Sequence, residues 1–281
     1  MPPYFVSFRP EITMEENLPP LTAIEDPGTM DLLRKATGVL LPSHVSPWRY
    51  RSIIQHAKNW FPRLEARFNF QGKTRQVHLF HGMGVRHPDS LVFETPLRLQ
   101  AYLNEHGSPW GYPMVLKGDL GGGGETVFPI YGREDVPKYL LNLPKDKPLL
   151  IQKWVDHGGK DLRVVIYGDQ AVSYFRVGGG QFYNNICRGG RLDHGGWPGL
   201  QQKGVSAVCA FCRHAGIDIA GFDLMFPDEG EPVFVEVNFH FGRKGLGGLK
   251  EHQKHELRAI WSWRDHLMST RLSQPSIREN S

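Results

Sequence analysis

The sequence predicts an α+β protein in which a small α/β region precedes segments that are rich in strands. Three observations carry this prediction. A buried strand and two helical patterns alternate over residues 37–84, as they do in α/β regions. The pattern of residues 113–130 predicts a strand, a glycine loop and a second strand. Two hairpins, over residues 162–177 and 221–239, are separated by a helix predicted at 201–215.

Hydrophobic spacing defines the first elements. TGVLLPSH, residues 37–44, is typical of a short buried strand. WRYRSIIQHAKNWF, residues 48–61, has helical spacing with apolar side chains on one side. A second helix is predicted over 73–84 and ends at Gly84. Residues 1 to about 30 are rich in Pro and Glu and have poor periodicity.

The later elements are equally short and are bounded by turn residues. LVFETP, residues 91–96, predicts a strand, and a helix is expected over 97–107. PLLIQKWV, residues 148–155, is another apolar strand. The first hairpin turns near Gly168 and Asp169, and a last helix is expected near 249–268.

Composition excludes several classes of protein. The chain has 281 residues, of which 40% are hydrophobic and 22% charged, and this is enough for one large domain or two to three small ones. No apolar run approaches the ~20 residues of a membrane helix, and the N-terminus lacks the pattern of a signal peptide. We therefore expect a cytoplasmic protein. The net charge of +4 comes from scattered basic residues, which disfavours nucleic acid as a partner and is compatible with anionic phosphates.

The cysteines predict packing rather than chemistry. There are three, Cys187, Cys209 and Cys212, and an odd number argues against a disulfide framework. Cys209 and Cys212 form a single CxxC pair that shares a helical face with Val205 and Val208. A packing role is therefore favoured over a zinc or redox site.

The hairpin GFDLMFPDEGEPVFVEVNF, residues 221–239, is the most informative segment. A two-residue turn at Glu229 and Gly230 would pair 222 with 237, 224 with 235 and 226 with 233, which gives one apolar face. The other face would bring Asp223 opposite Glu236, with Asn238 on the same side. Opposed carboxylates destabilise a sheet unless something compensates them, and Mg²⁺ prefers such oxygen ligands. An exposed polar face is the alternative.

Three further segments carry groups that suit phosphate chemistry. KGDLGGGGETVF places Lys117 on a strand before four glycines, whose backbone can approach an anion closely. YNNICRGGR sets Arg188 and Arg191 around a Gly–Gly pair, and such arginines can stabilise a transferring phosphoryl group. Asp161 and Arg163 share one face of a strand. Taken singly, these segments also fit a flexible hairpin tip, a polar loop and a surface ion pair.

The order of these segments resembles the ATP-grasp superfamily, and most closely its branch of RimK-like carboxylate–amine ligases. The resemblance covers roughly residues 70–248, its most specific part runs from KDLRVVIYGD to FVEVN, and the first 65 residues match poorly. It implies an α+β, ATP-grasp fold with a shortened N-terminal α/β domain, the pre-ATP-grasp domain. The implied division is an N-terminal domain at 1–75, a lid subdomain with the glycine loop at 76–153, a catalytic subdomain at 154–270 and a disordered tail at 271–281.

The resemblance also assigns roles residue by residue. It implies Asp223, Glu236 and Asn238 as magnesium ligands, and Arg163 and Arg188 as basic residues at the phosphoryl-transfer centre. The residues implied to bind ATP are the phosphate lysines Lys73 and Lys117, the lid glycines Gly121, Gly122, Gly123 and Gly124, the adenine hinge Gln152, Lys153, Trp154 and Val155, and the nucleotide-contacting Asp161 and Asn185.

Two departures from the family pattern concern specificity. Lys153 stands at the hinge where the family usually has an acidic residue. After Asn238 the chain continues FHFGRKGLGG instead of small residues and Pro–Gly. This segment supplies His240, Arg243 and Lys244 as candidate substrate residues, because arginine can bind a carboxylate with two hydrogen bonds and histidine can accept a proton.

The expected activity is ATP- and Mg²⁺-dependent ligation of a carboxylate to an amine through an acyl-phosphate, with Mn²⁺ as the other candidate metal. Small molecules or peptides are expected as the acid and the amine, and neither nucleic acid nor a membrane is expected as a partner. Two alternatives stay open, an ATP-grasp kinase or phosphotransferase and a non-catalytic ATP-binding module.

Overall fold

A computed structural model describes residues 3–178, 182, 189–228 and 230–272 of the chain. The described residues form three sheets with helices packed between and around them. Of the tail predicted at 271–281, residues 273–281 lie outside the described residues. In the described part of the chain, no helix combines the length and the apolar character that a membrane span requires.

The N-terminal sheet is parallel, in the order β2-β1-β3-β4. Its strands and the helices beside them are β1 (Phe5–Ser7), β2 (Glu16–Asn17), α1 (Pro27–Lys35), β3 (Gly38–Leu40), α2 (Pro47–Ile54), β4 (Trp60–Phe61) and α3 (Glu65–Asn69). Its core joins Phe8, Leu33, Val39, Tyr50 and Ile53. The strand predicted at 37–44 is confirmed as β3, whereas β1, β2 and α1 lie where the sequence pattern is weak.

The helix predicted over residues 48–61 is wrong in its second half. Helix α2 ends at Ile54, and residues 60–61 pair with β3 as strand β4. The residue before a proline avoids the helical conformation, and Phe61 precedes Pro62. The side chain of Asn59 donates to the carbonyl of Thr37 at 2.8 Å, which fixes the entry into the strand.

The middle sheet is antiparallel, in the order β5-β8-β6-β7. It consists of β5 (Ser90–Phe93), β6 (Met114–Gly118), β7 (Val127–Ile130) and β8 (Leu149–Lys153), and the helices α5 (Pro96–His106) and α6 (Asp135–Leu140) cover it. Leu99, Leu116, Val136 and Ile151 belong to its core. The glycine loop is the connection between β6 and β7, as predicted.

The C-terminal sheet is antiparallel, in the order β11-β10-β9-β12-β13. Its strands are β9 (Lys160–Tyr167), β10 (Gln170–Val177), β11 (Arg191–Asp193), β12 (Ile219–Met225) and β13 (Val233–Asn238). Helices α4 (Lys73–Gly82) and α7 (Pro198–Ala215) cover one face. Cys212 is buried in this core and Cys209 packs against it, and both are free thiols, which agrees with the predicted packing role.

Helix α8 (Leu249–Leu272) joins the first and third sheets. Its residues Ala259 and Ile260 lie in one cluster with Leu40 of β3 and Tyr167 of β9. The face of β9 that points away from α4 and α7 therefore has two parts. Its later residues pack toward α8, while its earlier residues, including Arg163, remain available to line a site. The domain boundaries expected from the sequence stay a prediction.

The second hairpin departs from the predicted register. Phe222 faces Val237 and Asp223 faces Glu236, as expected, but Leu224 faces Phe234 because the register shifts between Asp223 and Leu224. The predicted pairs of 224 with 235 and 226 with 233 are therefore wrong. A bulge places one extra residue, Val235, on β13, so that Phe234 enters the core while Val235 and Glu236 both line the cleft on the other side.

Candidate active site

Four side chains form a transverse row on the open face of the C-terminal sheet. Strand pairing sets Tyr174 opposite Arg163, Arg163 opposite Asp223, and Asp223 opposite Glu236. Because side chains on a strand alternate between faces, all four point away from the core that α4 and α7 cover. Gly221 makes room for this row, since a Cβ there would lie 3.0 Å from Nη1 of Arg163.

Two buried arginines bind the acids of this face. Nη2 of Arg163 donates to Oδ2 of Asp223 at 3.1 Å, and Nη2 of Arg176 lies 2.9 Å from Oδ1 of the same carboxylate. Nε of Arg176 also donates to Oδ2 of Asp161 at 2.9 Å. Burial alone would raise the pKa of Asp223, but the two guanidinium groups hold it below its ordinary value. Burial raises the pKa of Asp161 by more than Arg176 lowers it.

Sequence reasoning missed Arg176, although a signal was present. The first hairpin turns at Gly168 and Asp169, and Gln170 pairs with Tyr167. Counting back from that turn sets Arg176 opposite Asp161. The arginine expected next to Asp161 was instead Arg163, which binds Asp223.

The two predicted phosphate lysines converge on the glycine loop and Glu236. Nζ of Lys73 donates to the carbonyl oxygen of Gly121 at 2.8 Å and lies 4.0 Å from Oε1 of Glu236. Lys117 is buried on β6, and burial lowers its pKa to about 8 against the opposing effect of Glu236. Burial also raises the pKa of Glu236, which Lys73 counteracts. A cation-rich space therefore lies over one end of the row.

Asp119, which sequence reasoning did not identify, ties the glycine loop to helix α4. Its Oδ1 accepts from the backbone N of Thr74 at 2.8 Å and from Oγ1 of Thr74 at 2.6 Å, and its carbonyl accepts from the backbone N of Lys73 at 2.9 Å. Gly72 precedes the helix with φ 84°, and a Cβ there would collide with the Asp119 carboxylate. Three hydrogen bonds thus join the start of α4 to the base of the loop.

The three predicted metal ligands lie together. Asp223 and Glu236 face each other, and Nδ2 of Asn238 lies 3.4 Å from Oδ2 of Asp223. Oδ1 of Asp223 is buried and is held by ion pairs with Nη2 of Arg176 and Nε of Arg163. Across the described ranges, no group of three or more His, Cys, Asp or Glu side chains could hold a metal. The donor set of two carboxylates and one amide fits a cation that completes its shell with phosphate oxygens.

An apolar cleft between the middle and C-terminal sheets adjoins these groups. Its walls come from Val115, Val127, Met225 and Val235, and its rim is the predicted hinge. The residues that line it and were predicted from the sequence are Lys117, Gly124, Gln152, Lys153, Trp154, Val155, Asp161, Asp223 and Glu236. A cleft of this kind suits a flat heteroaromatic base whose phosphates reach the lysines.

The hinge explains how Lys153 is accommodated. Its backbone N donates to the carbonyl of Asp89 at 2.9 Å, and its exposed Nζ lies 3.4 Å from Oδ2 of Asp89. Nε2 of the buried Gln152 donates to Oγ of Ser90 at 2.9 Å. The ring of Trp154 lies 5.3 Å from that of Phe182. The predicted residues Asn185 and Arg188 lie outside the described residues.

A second, polar cavity opens from the other end of the row. The predicted substrate residues His240, Arg243 and Lys244 line it. The other residues that line it are the loop glycines Gly122, Gly123 and Gly124 together with Arg163, Tyr174, Arg176, Asp223, Glu236 and Asn238. Burial, followed by the charges of Arg67 and a nearby histidine, lowers the pKa of His240. The carboxylates of the row thus lie between the apolar cleft and this basic cavity.

Comparison with known proteins shows what the chain is similar to. No protein-family model matches it. It is 30% identical to N-acetylaspartylglutamate synthase A of Mus musculus over 198 residues, which are 68% of this chain and 51% of that protein. It is 24% identical to the coenzyme gamma-F420-2:alpha-L-glutamate ligase of Methanococcus maripaludis, over 72% of this chain and 70% of that protein. The chain spans about half the length of most curated relatives it matches.

Solved structures share the fold. D-alanine–D-alanine ligase from Bacillus anthracis, complexed with ATP, superimposes with a TM-score of 0.57 at 15% identity, over 91% of this chain and 87% of that one. An ATP-grasp RimK domain protein from Sphaerobacter thermophilus superimposes with a TM-score of 0.56 at 15% identity, over 80% of this chain and 81% of that one. The chain has the ATP-grasp fold. With the curated relatives, these matches confirm the resemblance to the RimK-like branch.

Proposed function

We propose that this protein is an ATP-dependent ligase that joins a carboxylate to an amine through an acyl-phosphate. The observation that carries the proposal is the row of Arg163, Asp223 and Glu236, which lies between the apolar cleft and the basic cavity. ATP would enter through the cleft and the acid and amine through the cavity, so that the γ-phosphate meets the carboxylate above the row. We also propose the activity, the substrates and the partners for the protein as a whole.

In the first step, a carboxylate oxygen attacks the γ-phosphorus, and the bond to the β–γ bridging oxygen breaks, so that ADP leaves with the electron pair. Lys73 and Lys117 face the phosphate chain and neutralise its growing charge. Arg163 and the predicted Arg188 are assigned to stabilise the charge on the phosphoryl group while it is transferred. In the second step the amine attacks the acyl carbon, the bond to phosphate breaks, and the amine proton leaves with the phosphate.

We assign Mg²⁺ to Asp223, Glu236 and Asn238, with Mn²⁺ as the substitute. Held by these residues, the cation would offset the negative charge of the phosphate chain. Asp223 is already bound to Arg163 and Arg176, so these arginines fix the orientation of its carboxylate. Glu236, whose side chain is 25% exposed, is open to the cleft.

The names of relatives support ligation over simple phosphorylation. They include a glutamate ligase and synthases of N-acetylaspartylglutamate and β-citrylglutamate. Two structural neighbours are amino-acid ligases by name. The cytoplasmic location and the exclusion of nucleic acid and membrane partners rest on the sequence alone and stay predictions.

A screen for ADP release tests this function. The purified protein is given Mg-ATP with small acids and peptides, each with and without amino acids as the amine. We expect ADP release with a matching acid, and hydroxylamine should trap the acyl-phosphate as a hydroxamate. Oxygen-18 in the acid's carboxylate should then appear in the released phosphate. A stable phosphorylated product without label in phosphate would favour a kinase, and ATP binding without turnover on any acid would favour a non-catalytic module.

A further inference from the structure

The row of four side chains on the open face of the C-terminal sheet runs from one end of the site to the other. Glu236, which lies 4.0 Å from Lys73, marks the end assigned to the phosphates. Tyr174 is the last residue at the opposite end, next to Arg163. Neighbouring strands lie about 4.8 Å apart, so Tyr174 is one strand beyond the arginine assigned to the transferred phosphoryl group. The acyl group that receives the phosphate would lie above this position.

Tyr174 faces only one of the two cavities of the site. Asp223 and Glu236 line both the apolar cleft and the basic cavity, whereas Arg163 and Tyr174 line the basic cavity but not the cleft. The cleft is the space proposed for the nucleotide base, and the basic cavity is the space proposed for the acid and the amine. Tyr174 therefore lies where the second step of the proposed reaction would occur.

Neighbours from two segments fix the position of the Tyr174 ring. Gly245 lies so close to it that a Cβ there would collide with the ring and its hydroxyl. Leu246 packs in the same buried cluster as Tyr174, and the centre of the His194 ring lies 5.3 Å from that of the tyrosine. Since the ring has little room to move, its hydroxyl is held in one place beside the cavity.

The hydroxyl of Tyr174 has no partner in the described part of the chain. The residue is only 3% exposed, yet its hydroxyl forms no hydrogen bond with a described residue. The other buried tyrosines of the core differ, because the Tyr50 hydroxyl accepts from Nε1 of Trp60 and the Tyr167 hydroxyl lies 2.6 Å from Nδ1 of His252. A buried polar group without a partner is costly, and a bound substrate oxygen would remove that cost.

Tyr174 is a hydrogen-bond donor at neutral pH. Burial raises the pKa of its hydroxyl above the ordinary value of 10.0, although the charges of Arg163 and Arg176 oppose this rise. Both arginines are already bound to Asp223, which leaves the tyrosine as a neutral donor beside them. A donor that is fixed in advance stabilises the oxygen that gains negative charge during acyl transfer.

We propose that the hydroxyl of Tyr174 donates a hydrogen bond to the acyl oxygen during the second step, so that Tyr174 is a catalytic residue for amide formation. The amine nitrogen forms a bond to the acyl carbon, and the carbonyl electron pair moves onto the acyl oxygen, which Tyr174 stabilises without losing its proton. When the carbonyl forms again, the bond to phosphate breaks, and the phosphate leaves with that electron pair and takes up the amine proton. The inference rests on the proposed function, because it concerns the second step of that reaction.

The test follows both steps in a single turnover, with the acid and amine that the ADP-release screen identifies. Rapid quenching measures ADP for the first step and the amide for the second. Tyr174→Phe removes only the hydroxyl, so ADP should form at the wild-type rate while amide formation slows about 100-fold, as on the loss of one oxyanion donor. Tyr102→Phe, on α5 and outside both cavities, is the matched control and should change neither rate.

Three results would overturn this role of Tyr174. Amide formation in Tyr174→Phe at the wild-type rate would show that the hydroxyl is not used. Equal slowing of both steps, together with a lower midpoint of urea unfolding, would show a structural role. A higher KM for the amine with an unchanged rate of amide formation would show that Tyr174 only binds the amine. All three leave ligation itself standing, whereas a wild-type protein that forms no amide with any acid and amine would contradict the proposed function and this inference with it.

Discussion

Arg176 and Asp161 face each other across strands β9 and β10, and the same guanidinium also binds Asp223 on the next strand. One buried cation therefore holds a proposed nucleotide contact and a proposed metal ligand in a single network. Burial would lower the pKa of Arg176, but the two carboxylates raise it, so it stays charged. The orientation of both acids depends on this residue.

Replacing Arg176 with Met should destabilise the protein strongly. The change leaves two buried carboxylates without their shared partner, and breaking a buried pair on one side costs about 3–5 kcal/mol. Urea denaturation of wild type and variant measures the effect. Arg213→Met, on the exposed side of α7, is the control and should change stability little. A loss no larger than that of the control would contradict the proposed network.

Binding of Mg-ATP near pH 8 should take up protons from solution. Burial lowers the pKa of Lys117 to about 8, so the free protein is about half protonated there at that pH. The bound phosphates favour the charged form of Lys117 and raise its pKa. Each protein molecule therefore takes up a fraction of a proton when Mg-ATP binds. Calorimetric titration at pH 8 in buffers of different ionisation enthalpy measures this uptake. Lys147→Met, which alters an exposed pair with Asp146, should retain it, and zero uptake in wild type would contradict the placement of Lys117.

The same lysine predicts a dependence of stability on pH. In the unfolded chain Lys117 has its ordinary pKa of 10.5, and in the folded protein its pKa is about 8. Between these values the unfolded chain binds more protons, so the contribution of this lysine to stability rises with pH across that window. Lys117→Met should therefore stabilise the free protein below pH 8 and remove that contribution, while it weakens ATP binding. A lower unfolding midpoint of the variant at pH 7 would show that Lys117 is not an unfavourable buried charge.

Asp119 and Asp26 offer a matched comparison of two helix caps. Oδ1 of Asp119 accepts from the N and Oγ1 of Thr74, and Oδ2 of Asp26 accepts from the N and Oγ1 of Thr29. Either aspartate replaced by alanine should cost about 1 kcal/mol of stability. Only Asp119→Ala should also weaken Mg-ATP binding, because this cap alone is joined to the glycine loop. Equal ATP affinity of the two variants would mean that the loop is positioned without Asp119.

Much of the site follows from local pattern, and the rest depends on distant packing. A two-residue turn predicts that Asp223 opposes Glu236, and the structure agrees. The bulge at Val235 could not be predicted, because it depends on which of two adjacent apolar residues fills the core under α4 and α7. The contact of Arg67 with His240 joins residues 173 positions apart, and no local periodicity encodes such a distance.

The two proposed metal acids should respond differently to replacement. The sequence alone predicts that Asp223 and Glu236 both face a polar site and can be replaced without loss of the fold. In the structure the Asp223 side chain is 11% exposed and binds two arginines, whereas the Glu236 side chain is 25% exposed and lies 4.0 Å from Lys73. Asp223→Ala should therefore lower stability as well as activity, since it leaves buried cations uncompensated.

Glu236→Gln is consequently the cleaner test of the metal assignment. It keeps the shape of the side chain and removes the charge that draws a cation, so the fold should remain intact while the Mg²⁺ concentration for half-maximal ADP release rises at least about tenfold. Gln76→Glu is unsuitable as a control because Gln76 bonds to the backbone of Val237. Glu231→Gln, exposed at the start of the segment before β13, is suitable and should leave the Mg²⁺ requirement unchanged. If Glu236→Gln and Glu231→Gln need the same Mg²⁺ concentration, Glu236 does not bind the metal.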